Sequence, residues 1–422
     1  MAQQKQVMPP AAHWVRTVLG LVLAAFVFYP SILGDLVPLR VVALALGTVA
    51  LLSEVWLSGN ARRRNLLLSV AVTIAVIVAV GTIETIANTN HDRMSAVNAE
   101  HMLVLFPLYS IFGALSFRNA GGRVLTYTYL VVASVTAVLA VIESVFTVSL
   151  LGRGMTFLTS QREGSTRALV GAEHVLVLGA LLAVAVALAA TVNSLRFRIP
   201  LTLVLIAGCW ATGSRAAAVL CVLVALLQVF PRAVTFMQKR WWVLSALTGI
   251  AFFALAMLST FIWSPFIPGK TGVDYSANYR FASYALLKQV LIERPLGYVL
   301  GTVPSGEWMM NSQLRGPVDL ARSADSELVF AVFAAGWLGI IVYMATFAVA
   351  LLALRNAPVL GIATLLLNSL GFIMSLHGWD ASSMLWYCLL GACTATLTWR
   401  RAGRPFLSPF FRPRSTVGDD PE

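Results

Sequence analysis

Apolar residues fill this chain in long blocks, separated by short stretches that are polar, small or basic. The blocks are Thr17–Val37, Val41–Leu57, Leu66–Ala87, Met102–Phe117, Val124–Phe146, His174–Val192, Ile199–Gly213, Ala216–Phe230, Trp241–Trp263, Glu327–Leu354, Val359–Leu376 and Met384–Trp399. A helix needs about 20 mostly apolar residues to cross a bilayer, and most of the blocks approach that length. The seventh and eighth are short and only Ser214 and Arg215 part them. The pattern predicts an all-α fold: a polytopic membrane helix bundle of about 12 transmembrane helices. One stretch breaks the rhythm. Residues 264–326 form a connection far longer than the others, and connections of that length are functional or disordered. Its aromatics (Phe266, Tyr275, Tyr279, Phe281, Tyr284, Tyr298 and Trp308) argue against disorder. Within it, Tyr279–Glu293 contains no glycine or proline and is stopped by Pro295 and Gly297. Arg280, Tyr284 and Lys288 share one face of that helix, and Leu286, Leu287, Val290 and Leu291 supply an apolar surface suited to lying at a membrane boundary.

Composition agrees with the pattern. The chain of 422 residues is 59% hydrophobic and 11% charged, whereas soluble domains carry about 25% charged residues. No polar stretch is large enough to be a soluble domain. Cys209, Cys221, Cys388 and Cys393 all lie inside apolar blocks without metal-ligand spacing, and read as small packing residues. The formal net charge of +12 bears on topology before it bears on partners, because Lys and Arg collect in cytoplasmic loops. With both termini inside, every short cytoplasmic segment is basic: Lys5 and Arg16; Arg62, Arg63 and Arg64; Arg118 and Arg123; Arg196 and Arg198; Arg232, Lys239 and Arg240; Arg355; and Arg400, Arg401, Arg404, Arg412 and Arg414. Nucleic acid is then not a partner; membrane lipids are. The organisation that follows is a cytoplasmic N-terminus (1–16), helices one to nine (17–263), a long extracytoplasmic loop (264–326), helices ten to twelve (327–399) and a basic, proline-bearing cytoplasmic tail (400–422). The first block is followed by a second with the right charge flanks, so it reads as a span and not a cleaved signal peptide.

Candidate chemistry collects on the outer side. Arg215 lies in Gly213-Ser-Arg-Ala216, a small-residue hinge where a charge near the membrane is paired, functional or snorkelling. Arg322-Ser-Ala-Asp325-Ser-Glu327 precedes the tenth block, where Asp325 or Ser323 could also simply cap a helix. Arg167, Glu173 and His174 stand at the outer end of the sixth block, and His377 and Asp380 between the last two. Arginine stays charged and grips phosphate oxygens with a bidentate fork, so Arg167, Arg215, Arg280 and Arg322 on one side suit a lipid-linked phosphate or diphosphate. Asp325, Glu327, His174 and His377 are the available general bases. No nucleotide-type phosphate loop is present, and the sequence requires no metal and no cofactor.

At these residues the chain resembles the O-antigen ligase and O-antigen polymerase family of bacterial membrane glycosyltransferases. The resemblance covers the topology and, more closely, about Thr202 to Gly339: Gly213-Ser-Arg-Ala216 between two spans, then Arg280 followed by a helix and the turn Pro295-Leu-Gly297 with Gly301, then Asp325-Ser-Glu-Leu opening a span that runs on to Gly336-Trp-Leu-Gly339. It implies an inverting, metal-independent transfer in the bacterial cytoplasmic membrane, with the active face outside the cytoplasm. The donor would be an undecaprenyl-diphosphate-linked glycan and the acceptor a glycan or glycolipid. Arg215 and Arg280 would stabilise the departing diphosphate, Asp325 would deprotonate the acceptor hydroxyl, and Arg167, His174, Arg322 and Glu327 would bind substrate. Ligases usually place histidine where this chain has Asp325, which favours a polymerase of surface or exopolysaccharide repeat units over a ligase acting on a lipid A–core acceptor. The rival from another class, a secondary transporter or flippase of a lipid-linked substrate, needs ionisable residues deep in the spans; Glu84 and Glu143 are the candidates, and both lie near the ends of their blocks.

Overall fold

The computed structural model describes residues 10–33, 106–116, 121–151, 167–230, 236, 239–240, 275–297, 309–312, 316–319, 326–376 and 378–398. The predicted spans Val41–Leu57, Leu66–Ala87 and Trp241–Trp263 lie outside the described residues. The helices are α1 (Pro10–Phe28), α2 (Pro30–Leu33), α3 (Phe106–Ser116), α4 (Gly121–Phe146), α5 (Val175–Ala189), α6 (Leu195–Ala211), α7 (Arg215–Val229), α8 (Tyr275–Glu293), α9 (Glu327–Ala353), α10 (Pro358–Leu370) and α11 (Asp380–Thr398). The helix expected at Tyr279–Glu293 is present and begins four residues earlier, as α8. The departure from all-α among the described residues is a short antiparallel hairpin, β1 (Met309–Ser312) with β2 (Gly316–Asp319), inside the long polar connection.

Helix α5 is the centre of the bundle. Its sequence is apolar on every face, and every residue except Leu176 is buried. Helices α4, α6, α7 and α10 pack around it. The outward faces are apolar too. On α4, Tyr127, Val131, Val135 and Val138 recur at helical spacing and are exposed, Val131 by 57%. A helix that is apolar all round but only half covered by protein suits a lipid solvent, not water. Two described stretches, Gly122–Phe146 and Ala335–Ala353, are long and apolar enough to cross a membrane, each with mean hydropathy 2.1. Lipid removes most of the hydrophobic drive between helices, so close packing at small residues must hold them together. The α3–α11 pair shows this. Gly113 lies on the backbone of Cys388 and Gly391 on that of Ser110, so closely that a Cβ at either glycine would overlap the partner's main chain.

Helix directions test the predicted alternation. Gly20 meets Thr128 and Tyr29 meets Thr136, so α1 and α4 run parallel. Gly179 meets Ala217 and Val186 meets Gln228, so α5 and α7 do as well. Tyr343 meets Asn368 and Ala350 meets Gly361, so α9 and α10 are antiparallel. These match alternating spans. The α3–α11 pair does not: its contacts make the two helices antiparallel, whereas the fourth and twelfth of twelve alternating spans share a direction. Helix α3 is the element out of step, since the end of α4 and the start of α11 share one end as predicted; residues 117–120, which join α3 to α4, lie outside the described residues.

The tenth predicted span, Glu327–Leu354, is not one straight helix. Gly336 has φ 57° and ψ −130° and breaks α9. Gly339 lies against the backbone of Ala331, although eight residues of straight helix would separate them by about 12 Å. The membrane-length part is Ala335–Ala353, and the residues from Glu327 to the break form a separate short arm. The cause is the turn after α8. Gly297, with φ 65°, seats on Gly336, and the Trp337 N–H donates to the Pro295 carbonyl at 3.0 Å.

A polar end of the bundle as candidate functional site

The ends of α4, α6 and α10 and the starts of α5, α7, α9 and α11 meet at one end of the bundle. Arg123, Arg196, Arg198 and Arg355 fall at the other, at the starts of α4 and α6 and just after α9. Arg167, Glu173, His174, Arg215 and Glu327, all singled out in the sequence, therefore share one end.

The approach to Arg215 is built by two charged side chains. Glu143, on the last turns of α4, is fully buried. Its Oε1 accepts from the Leu150 N–H at 2.9 Å, and its Oε2 accepts from the Leu169 and Val170 N–H groups, each at 3.0 Å. Buried carboxylates are costly unless hydrogen-bonded, and here the donors are backbone amides that would otherwise be orphaned. Val170 has φ 47°, strained for a β-branched residue, and the carboxylate offsets that strain. The held segment then contacts the α6–α7 turn. Ala168 N–H donates to Ala211 O at 3.0 Å, and Arg167 donates from Nε to Thr212 O at 3.0 Å and from Nη2 to Gly213 O at 3.3 Å. The guanidinium thus caps carbonyls at the C-terminal end of α6, where cations are favoured. Gly213 takes φ 67°, and a Cβ there would lie 2.7 Å from Arg167 Nε. The turn needs glycine both for its conformation and for this close approach. Ser214 follows, buried, with its N–H on Thr212 Oγ1 at 3.2 Å. Arg215 opens α7; it is exposed, and no hydrogen bond or ion pair joins it to another described residue.

Beside this hinge, His174 caps α5: its Nδ1 accepts from the Leu176 N–H at 3.2 Å. A ring nitrogen that accepts carries no proton, so the imidazole proton sits on Nε2. The ring stacks on Trp379, centroids 5.0 Å apart and planes 18° apart. Glu173 Oε2 accepts from the Ala381 N–H at 3.3 Å, on the first turn of α11.

The third part is the start of α9. Glu327 is buried; its N–H donates to Gly371 O at 2.6 Å and its Oε2 accepts from the Leu376 N–H at 2.7 Å. Tyr284 of α8 reaches the same place. Its hydroxyl pairs with Ser326 Oγ at 2.9 Å and donates to Phe372 O at 2.6 Å. With Tyr284 at Ser326 and Pro295–Gly297 at Gly336, α8 runs alongside the short arm of α9 in the same direction. Arg280 is one turn before Tyr284 on α8. Asp325, Arg322 and His377 lie outside the described residues.

Of the residues expected to contact substrate, Arg167 and Glu327 are engaged with the protein's own backbone. Their observed bonds hold the site's frame together. Glu143 is the residue whose role sequence reasoning missed. The available signal was an acid on the last turn of an apolar block, weighed only as a candidate for the rival transporter reading and not as an anchor. Among the described residues no group of three His, Cys, Asp or Glu side chains is placed to hold a metal ion. Comparisons with family models, with curated proteins and with solved structures find no match to this chain.

Proposed function

We propose that this protein is an extracytoplasmic glycosyltransferase of the bacterial cytoplasmic membrane. It transfers or polymerises glycan units from an undecaprenyl-diphosphate donor onto a sugar hydroxyl, with inversion and without a metal, in surface or exopolysaccharide assembly. One observation carries the reading: the helix bearing Arg280 is docked through Tyr284 onto Ser326, the neighbour of Asp325, at the bundle end where Arg215 stands exposed. A base from the start of α9 and two arginines from α7 and α8 are the parts such a transfer uses. The arginines neutralise charge that builds on the diphosphate as the anomeric C–O bond breaks, and Asp325 takes the acceptor hydroxyl proton. The basic residues at the opposite end would then face the cytoplasm. Glu143, the described acid that a transporter reading would use, accepts three backbone N–H bonds instead of standing free in a span, which favours the transferase reading.

The test is reconstitution in liposomes with a prenyl-diphosphate-linked oligosaccharide and an acceptor glycan, with and without a chelator. Release of prenyl diphosphate with a lengthened glycan, insensitive to chelator and lost in Arg215→Ala and Arg280→Ala, is the expected result. Full activity in either variant removes the arginine mechanism.

A further inference from the structure

We propose that Glu143 is a positioning residue for Arg215, acting through the backbone of residues 168–170 and the Arg167 guanidinium. The inference rests on the reading of Arg215 as the diphosphate-binding arginine. Its path is continuous in the structure. The Glu143 carboxylate fixes the Leu169 and Val170 N–H groups. The adjoining Ala168 N–H and Arg167 side chain hold the carbonyls of Ala211, Thr212 and Gly213. Those carbonyls define the left-handed turn whose next residues are Ser214 and Arg215. Arg215 itself has no partner among the described residues, so the direction in which it leaves the bundle is set by this turn. Every link is a hydrogen bond of 3.0–3.3 Å, and none of them touches α8 or α9. The strut therefore acts on one arginine of the site and not on the Arg280 and Asp325 side. An arginine that stabilises a leaving group must sit within hydrogen-bond reach of where charge develops, and misplacement by about 1 Å costs on the order of a hundred-fold in rate.

Two measurements on the full-length protein test this. The first is amide hydrogen exchange by mass spectrometry and needs no substrate. Glu143→Gln keeps one acceptor oxygen and Glu143→Ala keeps none, so exchange at residues 211–215 should rise in that order, with α10 unchanged as the control for global loosening. Arg167→Ala removes the bonds to the Thr212 and Gly213 carbonyls while leaving the Ala168–Ala211 bond, and should also raise exchange at 211–215, which keeps the test open if Glu143→Ala fails to fold. Wild-type exchange at 211–215 in Glu143→Gln and Arg167→Ala would overturn the proposal. The second is transfer from the prenyl-diphosphate donor. Glu143→Gln should lower kcat about ten-fold or more with little change in KM. Wild-type kcat in Glu143→Gln would overturn the proposal. If the wild-type protein shows no transfer, the proposed function fails and the exchange measurement alone decides whether the strut controls the hinge.

Discussion

Gly297 rests on Gly336, backbone against backbone, both with positive φ, and this contact joins the turn after α8 to the break in α9. A Cβ at Gly336 would overlap the Pro295 carbonyl, and one at Gly297 would come within 2.6 Å of Gly336 N. Neither position has room for a side chain or a conformation that favours one. Gly297→Ala and Gly336→Ala should each cost about 1–3 kcal/mol from backbone strain alone. The check is a lowered unfolding midpoint in detergent, accompanied by faster amide exchange at residues 294–297.

Tyr284 gives the dock of α8 a polar anchor. Tyr284→Phe keeps the ring but strips the hydroxyl from Ser326 Oγ and from the Phe372 carbonyl. Leaving buried groups unpaired costs about 1–3 kcal/mol. Exchange across α8 should accelerate, and transfer should fall because Arg280 rides on the same helix. Unchanged exchange in α8 would show that the apolar contacts of Leu287 and Val290, both buried, are sufficient to seat it.

Two arginines on either side of one turn should respond in opposite ways. Arg215→Ala should abolish prenyl diphosphate binding with an unchanged unfolding midpoint, since the side chain is exposed and has no described partner. Arg215→Lys should recover only part of the binding, because an ammonium lacks the planar fork. Arg167→Ala should instead lower stability by about 1–3 kcal/mol, because it uncaps the Thr212 and Gly213 carbonyls. Titration of binding alongside thermal unfolding separates the two.

The two acids at the start of α9 should also separate. Glu327→Gln retains an oxygen to accept from the Leu376 N–H and should keep most of the transfer activity. Asp325→Ala should abolish transfer while the protein still folds. Loss of activity in Glu327→Gln at unchanged stability would move the base from Asp325 to Glu327.

Much of the helix inventory was legible in the chain. The blocks at Val124–Phe146, His174–Val192, Ile199–Gly213 and Ala216–Phe230 differ from α4, α5, α6 and α7 by only a few residues at their ends, because runs of apolar residues decide which segments can enter lipid. The helix of the long connection was legible for the same local reason: no breaker stands between Tyr275 and Glu293, and Pro295 follows. The break in α9 was not. Gly336 lies in an unbroken apolar run, and a glycine there reads as packing until the Pro295 turn is seen seated on it. The roles of Arg167 and Glu327 were not legible either. A charge at the end of an apolar block has the same sequence signature whether it faces a substrate or a backbone carbonyl.

Sequence alone determined that the chain is helical, that its helices are apolar enough for lipid, and that arginines and acids stand between particular blocks. These follow from composition and local pattern, which act over a few residues. Only the tertiary structure decided which charges hold the frame and which stand apart from it. Glu143 and Leu169 are distant in sequence, as are Arg167 and Gly213 or Tyr284 and Ser326, and hydrogen bonds across such separations exist only once the helices between them have packed. Arg215 stands out because the neighbouring charges, Arg167 and Glu143, are engaged with backbone.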